Sequence, residues 1–386
     1  MILDAPRSTQ TLGRPEGWAG PRQLLVRDAM DRGDMRLAYA LAASHNLTSG
    51  GKFADLSFLS GFIALRYQSE PQLAAKHFQI LEDGVNGAIS KARGGYWLAR
   101  AQEAMGLDPK AAYARAAQHQ GTFYGQLAAE TLGHALDPAF LSGLPAPVSE
   151  EDSLLRATRY FLASGQNGFA ALFGVTASFG KDAQTQARIA AWAEAQNAPF
   201  VAITMAKSLS RRGTDLPASL FARHGALGSA DPLALAIARK ETEMNPYAIS
   251  SAGARGLMQL MPGTASDMAR VTGQEYSRAR LTRDPAYNVS LGTAYLDFLR
   301  AEFGDSPVLL AAAYNAGPGN LRKWLRERGD PRTGDVNIID WIERIPFSET
   351  RNYVQRVLEA ETIYAARNAG VVGPILRSKG LIGPKP

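Results

Sequence analysis

The stretch Asp231-Pro232-Leu233-Ala234-Leu235-Ala236-Ile237-Ala238-Arg239-Lys240-Glu241-Thr242-Glu243-Met244 reads as one helix, running from Leu233 to about Met244. It opens with an oxygen-bearing N-cap and a proline at the first helical position, where a missing N–H costs nothing. Counting by fours from Leu233 gives Ile237 and Glu241, and Met244 follows three later, so Glu241 stands on the apolar stripe. Glu243 sits four after Arg239 on another face, where a solvated ion pair accounts for it. A carboxyl on an apolar face is costly as an anion, so its pKa should rise. The proton it then keeps near neutral pH is what a general acid needs. The bland reading of Glu241 is an edge position whose carboxylate reaches water or an arginine such as Arg255.

Downstream, Ser250-Ser251-Ala252-Gly253-Ala254-Arg255-Gly256-Leu257-Met258-Gln259-Leu260-Met261-Pro262-Gly263-Thr264-Ala265 is a Gly-rich turn, an apolar segment with one amide, then Pro at a new helix start. Ala313-Tyr314-Asn315-Ala316-Gly317-Pro318-Gly319-Asn320 ends one helix and begins another. Ile345-Pro346-Phe347-Ser348-Glu349-Thr350-Arg351-Asn352-Tyr353 places an acidic residue in a first turn after a Ser cap. Each has a structural reading as well. Tyr314-Asn315 fits a helix C-terminus, Met258 and Met261 fit a core, and Ser348-Glu349 fits cap chemistry of about 1 kcal/mol.

Upstream the chain is Ala-rich with helical periodicity. Ala29, Ala64 and Ala99 recur at an offset shared by Phe62 and Trp97, a period suited to helical hairpins. The best-formed copy, Gly94 to Gln118 with a break at Gly106-Leu107-Asp108-Pro109, loosely resembles a tetratricopeptide-type pair. Asp137-Pro138, Gly143, Pro145 and Pro147 then interrupt the period. The expected division is an extended segment over 1–20, a helical-repeat domain over 21–149, a helical linker domain over 150–228, an active domain over 229–372 and a loose tail over 373–386. The expected fold class is all-α.

Composition narrows the function. The 386 residues contain no cysteine, which removes disulfides, thiolate metal sites and thiol nucleophiles. The net charge of +6 comes from dispersed arginines without a basic stripe, so an acidic polymer suits the chain and nucleic acid is not expected. No window has the roughly 20 apolar residues a spanning helix needs. Pro6, Gly13, Pro15 and Gly17 interrupt the opening residues, so no export signal is read in this chain. His45, His77, His119, His134 and His224 are scattered and precede the active region, which leaves no metal site, no cofactor site and no nucleophilic triad expected.

Four motifs in order, Glu241-Thr242, Gly256 to Gln259, Ala313 to Gly317 and Tyr353, resemble the soluble lytic transglycosylases. The resemblance covers roughly Leu233 to Ala366, and its departure is Thr242 where the family usually has Ser. It implies a lysozyme-like catalytic domain after a helical-repeat superhelix, and peptidoglycan as substrate. Glu241 would be the sole catalytic carboxyl, acting as acid and then base to leave a 1,6-anhydromuramic end. Ser250 and Gln259 would bond the sugar near the acid, and Met261 would line the floor. Tyr314 and Asn315 would hold sugar and acetamido groups, Tyr353 would meet the catalytic carboxyl, and Glu349 would bind an N-acetyl or hydroxyl group. Glu349 also keeps open a hydrolytic muramidase, which needs a base opposite the acid. A non-catalytic scaffold with a glycan-binding module is the reading from another class. The resemblance further implies a periplasmic location and a wall or secretion-machinery partner for the repeats.

Overall fold

The structure, a computed structural model, describes residues 14–149, 152–228, 230–375 and 380–381. The chain divides into two compact units, Met1–Leu136 and Asp137–Pro386. The described residues are mostly helical, with isolated bridges that include Ile249 with Arg255 and Arg255 with Leu260.

The first unit contains α1 (Pro15–Asp31), α2 (Met35–Ala43), α3 (Gly50–Tyr67), α4 (Pro71–Asp83), α5 (Ala88–Ala104), α6 (Lys110–Ala117) and α7 (Phe123–Thr131). Successive helices pack on one another, as hairpin repeats require. Ala29, Ala64 and Ala99 are all fully buried, so the sequence echo marks where helices approach closely. Phe62 and Trp97, which share the echo, meet edge to face with centroids 5.2 Å apart, and Phe58 joins the ring cluster. Gly61 lets Phe78 in, since a Cβ there would lie 2.5 Å from its ring. Trp97 is 0% exposed, and Trp97→Ala should cost about 3–5 kcal/mol. Urea unfolding of the full chain checks this; an unchanged transition midpoint for the first unit would contradict it.

Residues 1–13 lie outside the described residues. From Pro15 the segment expected to be extended is instead helical, because Pro15 takes the first helical position, where its fixed φ suits the helix. Of the tail expected to be loose, residues 376–379 and 382–386 lie outside the described residues, and Leu381 differs from the expectation. Leu381 is fully buried and its carbonyl accepts from the Ser306 hydroxyl at 2.7 Å.

The second unit begins inside the Pro/Gly break read from the sequence. It runs through α8 (Ser153–Ala163), α9 (Asn167–Ser178), α10 (Ala183–Ala195), α11 (Pro199–Ser210) and α12 (Pro217–Leu220). It continues with α13 (Pro232–Thr242), α14 (Pro262–Val271), α15 (Arg280–Arg283), α16 (Pro285–Phe303), α17 (Pro307–Ala316), α18 (Pro318–Arg328), α19 (Ile338–Glu343) and α20 (Ser348–Ala369). Helices on both sides of residue 228 thus share this unit. Helix α20 is its spine: α13 and α17 both pack along it, burying Tyr353, Val354, Val357, Leu358, Ala360 and Tyr364. Leu260, Ala265, Met268, Leu281, Tyr287 and Leu291 form a second core against which Tyr314 packs.

Candidate active site

Helix α13 starts as its sequence demands, with the Asp231 carboxylate accepting from Leu233 N at 2.9 Å and Pro232 following. It stops earlier than the periodicity predicts. Glu243 (φ 53°) and Met244 (φ 69°) are left-handed, so the stripe ends at Thr242 and Met244 reaches the core by a turn. The expected Arg239–Glu243 pair is therefore absent. Glu243 instead pairs with Lys207 on α11, while Arg239 donates to Leu220 O at 2.7 Å and stacks over Phe221. Gln259 is also left-handed (φ 48°). Such non-glycine geometry costs roughly 1–3 kcal/mol per residue and concentrates where chemistry fixes the backbone.

Glu241 lies one residue before the end of α13, where unpaired carbonyls disfavour an anion. Burial pushes its carboxyl up to about 7, opposed by Tyr353 and the Lys240 charge and assisted slightly by Glu349. Arg255 is not among the groups that influence it. Tyr353, on α20, is sealed from solvent; its hydroxyl makes no geometrically complete hydrogen bond. The Glu241 carboxyl nevertheless lies close enough that each group shifts the other's titration. Tyr314 donates to Met258 O at 2.8 Å and is likewise held well above its ordinary range by burial and then by Glu241. Two neutral phenols therefore flank one carboxyl that keeps its proton at acidic pH and still holds it in about half of the molecules at neutral pH.

The loop from Asn245 to Met261 is pinned from several sides. Thr242 donates its hydroxyl, shared between Ala238 O and Leu257 O, each at 3.1 Å, so Thr supplies the hydroxyl of the family's usual Ser. Gln259 spends its amide nitrogen on Ala248 O and Gly256 O, which leaves its Oε1 as the side-chain acceptor. The Ser250 hydroxyl closes its own turn by accepting from Ala254 N at 3.0 Å. Met258 is core, as its structural reading had it, whereas Met261 is 45% exposed at the start of α14 and offers an adaptable apolar surface.

Asn315 accepts from the Thr350 hydroxyl at 2.7 Å, an arrangement that turns its amide nitrogen away from Thr350. Glu349 is exposed in the first turn of α20. Ser348 is not the cap expected from sequence: Phe347 holds that position without a side-chain cap bond, because Ser348 is already helical. The structure thus brings Tyr314, Tyr353 and Glu349 within electrostatic reach of Glu241. Gln259, Ser250 and Met261 belong to the adjoining loop, and no hydrogen bond joins their side chains to Glu241.

Three contributors escape the sequence reading. Asn288 on α16 is fully buried; its Oδ1 accepts from Met258 N and its Nδ2 donates to Arg255 O, both at 2.9 Å. Its signal was an amide on an apolar stripe with Leu291 and Leu296 nearby, the same kind of anomaly that marks Glu241. Thr350 orients Asn315. Lys240 places its ammonium 5.3 Å from the Tyr353 ring centroid, and burial lowers its pKa. Because Lys240 favours the Glu241 anion, Lys240→Met should raise the Glu241 pKa above about 7 and move the alkaline limb of any activity profile upward. A pH–rate profile checks the sign, and a downward shift would contradict it.

No group of His, Asp and Glu able to hold a metal occurs among the described residues, and no described helix is long and apolar enough to cross a membrane. Fold and site together define a lysozyme-like all-α domain preceded by helical repeats. Residues 220–337 match the family model of the transglycosylase SLT domain, and residues 344–370 match that of the soluble lytic transglycosylase helical domain. The chain is 42% identical over 132 residues to the soluble lytic murein transglycosylase of Escherichia coli K12, covering 34% of this chain and 20% of that protein. A relative in Haemophilus influenzae is 32% identical over 255 residues, 63% of this chain and 42% of its own length. Among solved structures, lytic transglycosylase Slt of Pseudomonas aeruginosa superimposes with TM-score 0.59 at 26% identity, covering 91% of this chain and 63% of that one. The chain spans less than half the length of these curated relatives. Residues 220–337 thus resemble a transglycosylase SLT domain, and over part of its length the chain is similar to the soluble lytic murein transglycosylases.

Proposed function

We propose that this chain is a lytic transglycosylase that cuts the β-1,4 bond between N-acetylmuramic acid and N-acetylglucosamine in peptidoglycan. The observation that carries this is Glu241, a single enclosed carboxyl raised to about 7 between two buried tyrosines within an SLT domain. The neutral carboxyl protonates the glycosidic oxygen as the C1–O bond breaks. The 2-acetamido group supports the positive charge at C1, as in substrate-assisted glycosidases. The Glu241 carboxylate then takes the proton of the muramyl 6-hydroxyl, whose oxygen closes onto C1. The nucleophile is tethered in the substrate, so a second protein carboxylate is dispensable.

Around this centre Tyr353 holds the carboxyl, and Tyr314 and Asn315 hold sugar and acetamido groups. Gln259 Oε1, the Ser250 hydroxyl and Met261 line the adjoining subsite, with Glu349 at the rim. Residues 229–372 are the catalytic segment. A wall substrate places the protein in the periplasm. The helical repeats would contact glycan strands or a wall or secretion-machinery protein. Retention of the 1–149 fragment on insoluble peptidoglycan supports a glycan-contacting role, and its absence at low salt argues against one.

Glu349 favours the second reading, a hydrolase, because its charge raises the Glu241 pKa and a carboxylate opposite the acid could activate water. Mass spectrometry of the soluble products separates the two. Anhydromuropeptides from both the parent and Glu349→Gln are expected; reducing muropeptides that disappear with Glu349→Gln would establish the hydrolase.

A further inference from the structure

A cavity of about 350 Å³ opens in the second unit, away from the residues assigned to the Glu241 centre. Its wall carries three charged side chains from separate parts of the chain: Glu194 of α10, Arg223 after α12 and Arg367 near the end of α20. Residues 141–144 also line it. The volume lies at the lower end of the range that small ligands occupy.

The two arginines differ in what they have left to give. Arg367 donates to Phe140 O at 2.7 Å and to Phe221 O and Ala218 O at 2.6 Å each, so its guanidinium is a fixed positive charge. Arg223 commits one Nη1 donor to Asn368 at 2.8 Å and rests 5.6 Å from the Tyr364 ring centroid. A guanidinium has five N–H donors, so most of those on Arg223 remain for a ligand. Opposite in sign stands Glu194, whose Oε1 is buried with no hydrogen-bond partner. A buried acceptor left unsatisfied is the exception in folded proteins and calls for a donor.

We infer that this cavity binds the zwitterionic head of an α-amino acid, free or at the end of a short peptide. The carboxylate would bond the Arg223 fork in the field of Arg367, and the ammonium would donate to Glu194. One carboxyl and two guanidiniums together leave a net positive wall, which admits a zwitterion or an anion and disfavours a simple amine. The inference does not rest on the cleavage reading, although a peptidoglycan-cleaving enzyme meets such heads on the wall peptides.

Calorimetric titration of the full chain with meso-diaminopimelic acid tests it, with pimelic acid and 1,5-diaminopentane as probes lacking the amines or the carboxylates. Saturable one-to-one binding of the diamino acid alone is expected. It should weaken by about tenfold or more in Glu194→Gln and in Arg223→Gln, and stay unchanged in Glu241→Gln. Far-UV circular dichroism and cooperative thermal unfolding of the two cavity variants report that they fold. Absence of binding at about 10 mM, equal binding of pimelic acid, or parent-like binding by both folded cavity variants would overturn the inference.

Discussion

Glu241→Gln is expected to lower the rate of glycan cleavage by about three to four orders of magnitude, because the amide can neither give the first proton nor take the second. No other carboxyl in the centre is enclosed: Glu349 is exposed and Glu243 is paired with Lys207. The same substitution should stabilise the folded chain at high pH. The Glu241 pKa is raised in the fold, so the native state holds a proton that the unfolded chain has lost between about 4.5 and about 7. That burden on stability is absent below about 4.5, grows as pH rises, and is complete above about 7. Removing the charge should therefore gain about 2 kcal/mol at pH 8, after allowance for the partial exposure of the site. Thermal unfolding of both proteins at pH 5 and pH 8 checks this. A gap between them that narrows with rising pH would contradict a raised carboxyl, and parent-like cleavage by Glu241→Gln would remove it from the mechanism.

Gly256→Ala is expected to cost about 4–6 kcal/mol and to remove activity with it. Gly256 is left-handed (φ 75°), and a Cβ there would stand 2.0 Å from Leu281 O and 2.3 Å from the Asn288 amide nitrogen. No flexible side-chain end can yield at Leu281, because the obstacle is backbone. Displacing Asn288 would break its two bonds to Met258 N and Arg255 O, leaving buried polar groups worth about 1–3 kcal/mol each. Met258 O also receives the Tyr314 hydroxyl, so the disturbance reaches a phenol that flanks Glu241. Denaturant unfolding measures the loss, and a change below about 1 kcal/mol would show that the loop relaxes around the new methyl group.

The all-α class was legible because periodicity is local. Leu233, Ile237 and Glu241 follow one helical stripe, and Ala29, Ala64 and Ala99 mark successive close approaches that the fold buries. The enclosed carboxyl of Glu241 was legible for a related reason: a carboxyl among aliphatics is an anomaly that a single helix reveals. Helix ends were less so. Glu243 and Met244 look helical by composition, and only their contacts with Lys207 and the core favour the left-handed turn. Ser348 looked like a cap because cap chemistry belongs to a residue type, whereas cap position is set by where Phe347 turns the chain into α20. Asn288, Thr350 and Lys240 act on residues distant in sequence or through a buried ring, and one sequence does not display such pairings. The cavity at Glu194, Arg223 and Arg367 is of the same kind, assembled from three distant segments.

The central claim is that the nucleophile belongs to the substrate and that Glu241 serves it as acid and then base. Digestion of purified peptidoglycan in water enriched in oxygen-18, followed by mass spectrometry of the newly formed muramyl ends, tests this most directly. Ends free of the label, each lighter by one water than a reducing end, are the expected result. One labelled oxygen at each new end would mean that water attacked C1, and would replace the intramolecular closure with hydrolysis.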